Sequence, residues 1–183
     1  MDASDAELIA AHRKSGSKQP LEILVSRHLP TVHKLLFQMV LDHSTADDLT
    51  QEAFLRAFRG LPSFGGRASF STWLHRIALN TVYDHFDRCK RSPLEFAGEP
   101  PAASSGSGGP EQAAIDSELA GEIETALGQL SPKLRAAIVL TSLQQLEVAQ
   151  AAELEGCSTA TMYWRIHEAR KQLKQRLGAY LSL

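Results

Sequence analysis

Apolar residues recur at intervals of three and four along most of the chain, which is the spacing of one face of an α-helix. In the first half this spacing predicts helices over residues 5–16, 20–40, 44–61 and 71–91. Alternation of polar and β-branched residues, the pattern of a half-buried strand, is nearly absent. We therefore predict an all-α fold without a sheet.

Turn and capping residues mark where these helices begin and end. Gly16 is expected to end the first helix, and Ser44 or Thr45 begins a capping signature for the third. Ser71 is the expected N-cap of the fourth helix. Pro30 lies within the second apolar pattern, where it should kink or divide the helix.

One stretch has no apolar periodicity. Residues 92–112 contain twelve Gly, Pro or Ser in 21 positions and no Lys or Arg. Such a composition cannot bury enough apolar surface to offset the entropy lost on ordering. We read it as a flexible linker between an N-terminal domain, 1–91, and a C-terminal domain, 113–183.

The second half also has helical patterns. Residues 116–130 are amphipathic, and a second helix over 131–143 has Ser and Pro at its start, where the missing N–H of Pro costs nothing. A short alanine-rich helix over 146–156 ends in Gly, and a basic helix starts near Ser158. A short helix, a glycine turn and a longer basic helix outline a helix-turn-helix motif.

The last helix has a clear inner face. The apolar residues that share this face are Met162, Ile166, Ala169, Leu173, Leu177 and Tyr180. Trp164, Arg165 and Lys171 lie outside it, and a tryptophan among cations favours a contact surface. The hydroxyls and free N–H groups at Ser158, Thr159 and Thr161 suit a phosphate. DNA contact is the favoured interpretation; a solvated helix or coiled-coil pairing are the alternatives.

Charge is segregated although the net charge is only −2. Residues 159–177 contain five Lys or Arg against the single acid Glu168, and residues 88–91 contain three in four positions. Acids gather instead around residues 42–52. This distribution indicates two differently charged partners.

Several classes of function are disfavoured. No apolar run approaches the ~20 residues of a membrane span, and the acidic N-terminus does not resemble a secretory signal. Cys89 and Cys157 are far apart, which disfavours a zinc site and suits the cytoplasm. The seven His are scattered, and no nucleophile–base pair stands out. We expect no enzyme, metal, cofactor or small-molecule substrate.

Taken together, several segments resemble the extracytoplasmic-function (ECF) branch of bacterial RNA polymerase sigma factors. The segments are ADDLTQEAFLRAF at 46–58, FGGRASFSTWLHRIALNTVYDHFDRCKR at 64–91, LSPKLRAAIVL at 130–140 and GCSTATMYWRIHEARKQLKQRL at 156–177. Their order and spacing make the resemblance specific. It implies a region 2-like domain at 1–91 and a region 4-like domain at 113–183.

The resemblance implies three binding surfaces. Asp48, Gln51 and Glu52 match the motif that docks on a basic coiled coil of core RNA polymerase. Charge complementarity favours this role, although a solvated acidic face is the alternative.

The second and third surfaces would bind promoter DNA. The residues implied to hold the melted downstream element are Phe64, Arg67, Phe70, Asn80, Tyr83, Arg88, Lys90 and Arg91. The residues implied to read the upstream element as duplex are Ser158, Thr159, Thr161, Trp164, Arg165, Glu168 and Lys171. Trp73 and Leu74 match a Trp-Leu pair and are expected in the core.

Three positions depart from the family pattern. Asp87 replaces a basic residue, Glu168 stands where Arg is common, and Leu146 lies where a glycine usually closes the preceding helix. The turn near Leu146 must therefore form by other means.

We read the chain as a factor that binds core polymerase, recognises promoter DNA and supports its melting. The alternatives are a helix-turn-helix regulator that acts without polymerase and a sigma-like interaction protein that does not initiate. Many family members bind an anti-sigma factor through these same faces, so such a factor is a further partner that the resemblance implies.

Overall fold

In a computed structural model, residues 3–91 and 120–178 are described, and the predicted linker lies outside them. The N-terminal half consists of α1 (Asp5–Ser15), α2 (Gln19–Val40), α3 (His43–Gly60) and α4 (Phe70–Arg91). A single 3₁₀ turn, Leu61–Ser63, follows α3. The predicted helices are all present in this half.

In the described part of the C-terminal half, residues 120–128 are helical and are here called α5. It continues with α6 (Pro132–Ile138), a π-helical turn (Val139–Leu143), α7 (Val148–Glu155) and α8 (Thr159–Leu177). Residues 3–91 and 120–178 contain no strand, in agreement with the all-α prediction. Within the same ranges, no helix combines the length and the apolar character needed to cross a membrane.

Both predicted glycine stops are confirmed, but two predicted caps lie two or three residues nearer the N-terminus than predicted. Gly16 and Gly156 end α1 and α7 at φ 68° and 62°, a region that disfavours side chains with a Cβ. Asp42, not Ser44 or Thr45, caps α3 through its carboxylate. Ser69, not Ser71, accepts from the Thr72 N–H at 3.0 Å at the start of α4.

Of the two outcomes predicted for Pro30, a kink or a division of the second helix, division does not occur, because α2 runs continuously through it. Pro30 is exposed, and water can reach the one backbone carbonyl that loses its donor. The loss of a single hydrogen bond on the solvent side therefore does not end a helix whose inner face is well packed.

The turn that lacks the family's glycine forms through a different residue. Gln145 adopts a positive φ of 56°, and the Leu146 N–H donates to the Leu140 carbonyl at 3.0 Å. The π-helical turn Val139–Leu143 widens the end of α6 just before it. A strained glutamine thus makes the reversal between α6 and α7.

The buried side chains join the two halves. One cluster contains large residues of α2 and α4, such as Leu35 and Leu74, together with Val139, Leu140 and Met162 from the C-terminal half. A second cluster contains Leu41, at the end of α2, and otherwise only C-terminal residues: Leu127, Leu130, Leu134, Ile138 and Ala169. We call the contact surface between residues 3–91 and 120–178 the junction.

Candidate polymerase and DNA interfaces

The predicted polymerase-binding residues lie on α3, whose apolar side packs into the core. Asp48 and Gln51 are exposed, and no ion pair of Asp48 is found within the described residues. Glu52 differs, because it pairs with Arg56 at 2.5 Å and with Arg88 at 3.3 Å. Asp48 and Gln51 are therefore the more available part of this predicted surface.

The arginines beside Glu52 form a network between α3 and α4. Arg56 also pairs with Asp84 at 2.5 Å, and these acidic partners raise the pKa of Arg56. Arg88, predicted to contact DNA, is thus held beside a residue predicted to contact polymerase. The network fixes the position of α4 relative to α3.

Aromatic side chains lie beneath the loop that precedes α4. The ring centroid of Phe64 is 4.9 Å from that of Trp73 and 6.0 Å from that of Phe70. Phe70 is only 3% exposed and also contacts His28 edge-on. Trp73 is partly buried against the same cluster, as expected, while Arg67 is exposed at the loop.

A residue that sequence reasoning missed supports this loop. Arg13 on α1 donates to the Leu61 carbonyl at 2.8 Å and to the Phe64 carbonyl at 2.6 Å. An open cleft of about 550 Å³ lies between α1 and the loop, beside Arg13 and Phe64. The predicted single-strand loop therefore rests on α1, which none of the motifs indicated.

The C-terminal part of α4 presents its polar residues to solvent. Asn80, Lys90 and Arg91 are exposed, so the cations lie where a phosphate backbone could approach. Asp87, which departs from the family pattern, is 4.0 Å from Lys90, and Arg88 pairs with Glu52, so among the described residues only Arg91 of these three cations has no acidic partner.

Tyr83, in contrast, is engaged at the junction. Its hydroxyl donates to Glu155 Oε1 at 2.6 Å, and Lys133 Nζ lies 3.6 Å from its ring centroid. Glu155 has a side-chain exposure of 1% and also accepts from Lys133 at 3.1 Å and Arg165 at 2.9 Å. Burial and the Glu155 carboxylate raise the pKa of Tyr83, so it stays a hydroxyl donor.

The predicted duplex-reading helix α8 begins with an exposed cap. Ser158 Oγ accepts from the Thr161 N–H at 3.1 Å, and Ser158, Thr159 and Thr161 are all exposed. The capping bond satisfies one N–H, and the other amide groups of the first turn stay available to a phosphate. Ser158 is the N-cap of α8, in agreement with the predicted start of this helix near Ser158.

The remaining α8 residues divide into free and engaged groups. Trp164 and its neighbour Tyr163 are each 62% exposed, and Lys171 is exposed as well. Arg165 has a side-chain exposure of only 16% because its guanidinium turns toward Glu155. Glu168 accepts from Gln172 at 2.8 Å along the same helix.

A buried arginine closes the other side of the junction. Arg135 is 6% exposed and donates to the carbonyls of Leu127 at 2.9 Å and Gly128 at 2.6 Å, and to the carbonyl of Met39 in the other half. Burial lowers the pKa of Arg135 to about 10, so it remains charged at neutral pH.

Glu155 was missed, although the sequence contains a signal for it. It is the last residue of α7, where a negative charge opposes the helix dipole. Nearby cations are therefore expected to stabilise an acid at this position, and Lys133 and Arg165 both pair with Glu155. Only the three-dimensional structure could show that Tyr83, 72 positions earlier, completes the group.

Each half of the chain matches a known protein family. The family described as Sigma-70 region 2 matches residues 24–92, and the family described as Sigma-70, region 4 matches residues 120–173. These ranges contain all the predicted binding residues.

Two curated relatives extend this similarity over nearly the whole chain. The ECF RNA polymerase sigma factor SigM of Mycobacterium tuberculosis is 34% identical over 184 residues, which cover 99% of this chain and 88% of SigM. The ECF RNA polymerase sigma factor SigE of Mycolicibacterium smegmatis is 34% identical over 163 residues, 87% of this chain but only 62% of SigE.

A solved structure has the same arrangement of helices. CnrH in complex with the cytosolic domain of CnrY matches with a TM-score of 0.68 and 26% sequence identity, over 97% of this chain and 99% of that chain.

Proposed function

The chain belongs to the ECF RNA polymerase sigma factors. We propose that three surfaces on its two halves bind core polymerase, the melted downstream promoter element and the upstream element as duplex. The observation that carries this proposal is the presence, in one chain, of an exposed acidic face on α3 and a helix-turn-helix with an exposed basic helix. A regulator that binds only duplex DNA has no use for the first of these.

The acidic face would dock on core polymerase. Asp48 and Gln51 point to solvent from a helix that is anchored on its opposite side, so a basic partner helix can approach them without a rearrangement of the fold. Glu52 would contribute less than its sequence position suggests, since Arg56 and Arg88 already neutralise it.

The loop before α4 and the exposed side of α4 would hold melted downstream DNA. Single-stranded DNA is bound by aromatic walls for its bases and cations along its backbone. Phe64 beside the cleft, Arg67, Asn80 and the basic end of α4 fit these needs. Buried Phe70 would support the loop from beneath rather than stack on a base.

The exposed N-terminal part of α8 would enter the major groove of the upstream element. Ser158, Thr159 and Thr161 would contact phosphates, and Trp164 would pack on a thymine methyl or on the backbone. Lys171 would add a phosphate contact. Glu168, held by Gln172, would accept from a cytosine amino group.

Run-off transcription tests the proposal directly. Purified core polymerase alone should give no promoter-specific product on a library of genomic fragments, and addition of this protein should give discrete products. Binding to core polymerase without any product would refute initiation and favour the non-initiating alternative.

A further inference from the structure

The loop between α3 and α4 has little packing at its tip. Gly65 and Gly66 are exposed, and Gly66 has a positive φ of 68°. Apart from adjacent residues, no described residue comes within 4 Å of the place that a Cβ of either glycine would occupy. Glycine has more conformational freedom than any other residue, so these two do not hold the loop in one shape by themselves. The shape of the loop therefore depends on how its ends are held.

Both ends of this loop are fixed by hydrogen bonds. At the end next to α4, Ser69 Oγ accepts from the Thr72 N–H at 3.0 Å. At the end next to α3, one nitrogen of Arg13, Nη2, donates to the carbonyls of Leu61 at 2.8 Å and Phe64 at 2.6 Å. Hydrogen bonds from a charged donor are roughly twice as strong as neutral ones. Arg13 is therefore a strong tie at a place where the chain has left α3 and has not yet entered α4.

The helix that carries Arg13 is itself held firmly on α2. Leu8 and Ile9 of α1 are buried in the core of the N-terminal half. At the start of α1, Asp5 contacts His28 of α2 at 2.8 Å. Arg13 thus extends from a fixed helix to a loop that has few contacts of its own.

The two carbonyls that Arg13 holds determine where the ring of Phe64 can lie. This ring packs on Trp73, with their centroids 4.9 Å apart, and also faces the cleft beside α1. Ala6 and Ala10 line the α1 side of the cleft, and their small side chains leave it open. An aromatic wall that is already in place binds an unstacked base without the entropy cost of ordering the loop first.

We propose that Arg13 is a positioning residue for the capture of melted downstream DNA: through the Leu61 and Phe64 carbonyls, it holds the loop in the shape that receives an unstacked base. The inference rests on the proposed function, because it concerns one step of promoter melting. It adds α1 to the elements that serve DNA binding, although the match to Sigma-70 region 2 begins only at residue 24. Arg13 acts through the loop and makes no contact with DNA itself.

Removal of the guanidinium tests the proposal. The probe is a labelled promoter fragment from the run-off screen, with its non-template strand left unpaired upstream of the start site. Arg13→Met, in the full chain bound to core polymerase, should weaken binding of this probe at least ~10-fold in fluorescence anisotropy. Affinity for core polymerase and for a fully paired upstream fragment should stay within about threefold, which a general loss of stability would not allow.

Lys14→Met is the matched control. Lys14 is the next residue of α1, is exposed and lines the same cleft, but it has no hydrogen bond to the loop among the described residues. The change removes the same charge and should weaken probe binding less than about threefold. An equal loss for Lys14→Met and Arg13→Met would overturn the proposal, because charge near the DNA would then explain both.

Salt dependence separates positioning from direct contact. Each lost phosphate contact to a single strand lowers the slope of log affinity against log salt by about 0.7. Arg13→Met should bind the probe more weakly with the same slope as the wild-type protein. A slope lower by about 0.7 would overturn the proposal, because Arg13 would then bind a phosphate itself.

Hydrogen exchange of the free full chain, followed by mass spectrometry, tests the loop without DNA or polymerase. Arg13→Met should speed the exchange of amides in residues 64–69 about tenfold and leave those of α8 unchanged. Arg13→Lys should restore slow exchange and probe binding, because both bonds come from one nitrogen and an ammonium has three donors. Unchanged exchange in Arg13→Met, or no recovery in Arg13→Lys, would overturn the proposal.

The outcomes separate this inference from the function on which it rests. If the wild-type protein with core polymerase does not bind the unpaired probe, the proposed function is contradicted. If the wild-type protein binds it and Arg13→Met binds it equally well, only the role of Arg13 is overturned.

Discussion

The polymerase face and the DNA faces of this protein differ in how available they are. Asp48 and Gln51 are exposed, and no other described residue pairs with Asp48. Tyr83 and Arg165 are both bound to a carboxylate that is almost completely buried. The contrast shows that residues matching a DNA-binding motif can already be engaged in contacts within the protein before DNA binds.

The largest expected effect is at the junction, where Tyr83 is engaged. Arg135→Met removes the donor shared by three backbone carbonyls and should lower the free energy of unfolding by about 3 kcal/mol. Guanidinium titration followed by circular dichroism measures the change. Arg170→Met, at an exposed site of α8, should stay within about 0.5 kcal/mol. Equal effects would mean that Arg135 does not secure the junction.

Charge reversal tests the exposed polymerase face. Asp48→Arg should weaken core polymerase binding at least ~100-fold, about 2.7 kcal/mol, because it places like charges together. Glu22→Arg makes the same change at an exposed site of α2 and should have little effect on affinity. A drop of less than about threefold for Asp48→Arg would remove Asp48 from this surface.

Asp48 is a cleaner probe than Glu52, although the sequence motif contains both. Glu52→Arg would place a third arginine beside Arg56 and Arg88, so lost binding could reflect a disturbed α3–α4 contact. The spacing of the apolar residues along α3 is enough to place Glu52 outside the buried side of this helix. Its partner Arg88 comes from another helix, and helical spacing alone cannot show such a contact.

A smaller effect separates two adjacent aromatic residues on α8. Trp164→Ala should weaken binding to the upstream duplex about tenfold, while Tyr163→Ala should have less effect. Both side chains are equally exposed, so neither change should alter stability. Fluorescence anisotropy of a labelled duplex, titrated with the full chain bound to core polymerase, measures affinity. Equal losses would assign the contact to the exposed aromatic pair rather than to Trp164.

The smallest effect concerns the turn that replaces the family's glycine. Gln145→Gly should stabilise the protein by about 0.5–1 kcal/mol, because glycine adopts the positive φ without strain. Gln175→Gly, within α8, should instead destabilise it by up to about 1 kcal/mol. A lowered denaturation midpoint for Gln145→Gly would show that this glutamine makes a contact that outweighs its strain.

The helices and the helix-turn-helix could be predicted from the sequence because they depend on local spacing and caps. The predicted inner face of α8 is correct at Met162, Ile166 and Ala169, which are buried. Local signals mislead where tertiary packing overrides them, as at Pro30. The partners of Arg165 and Tyr83 depend on contacts between distant segments, for which hydrophobic periodicity contains no information.

The most direct test of the central contrast is the effect of Tyr83→Phe on the stability of the free protein, compared with that of Asp48→Asn. Tyr83→Phe removes the hydroxyl that donates to the buried Glu155 and should lower the free energy of unfolding by about 1–3 kcal/mol, measured by guanidinium titration. Asp48→Asn, at an exposed residue without an ion pair among the described residues, should stay within about 0.5 kcal/mol. Equal effects of the two changes would contradict the account, because Tyr83 would then be no more engaged inside the protein than Asp48.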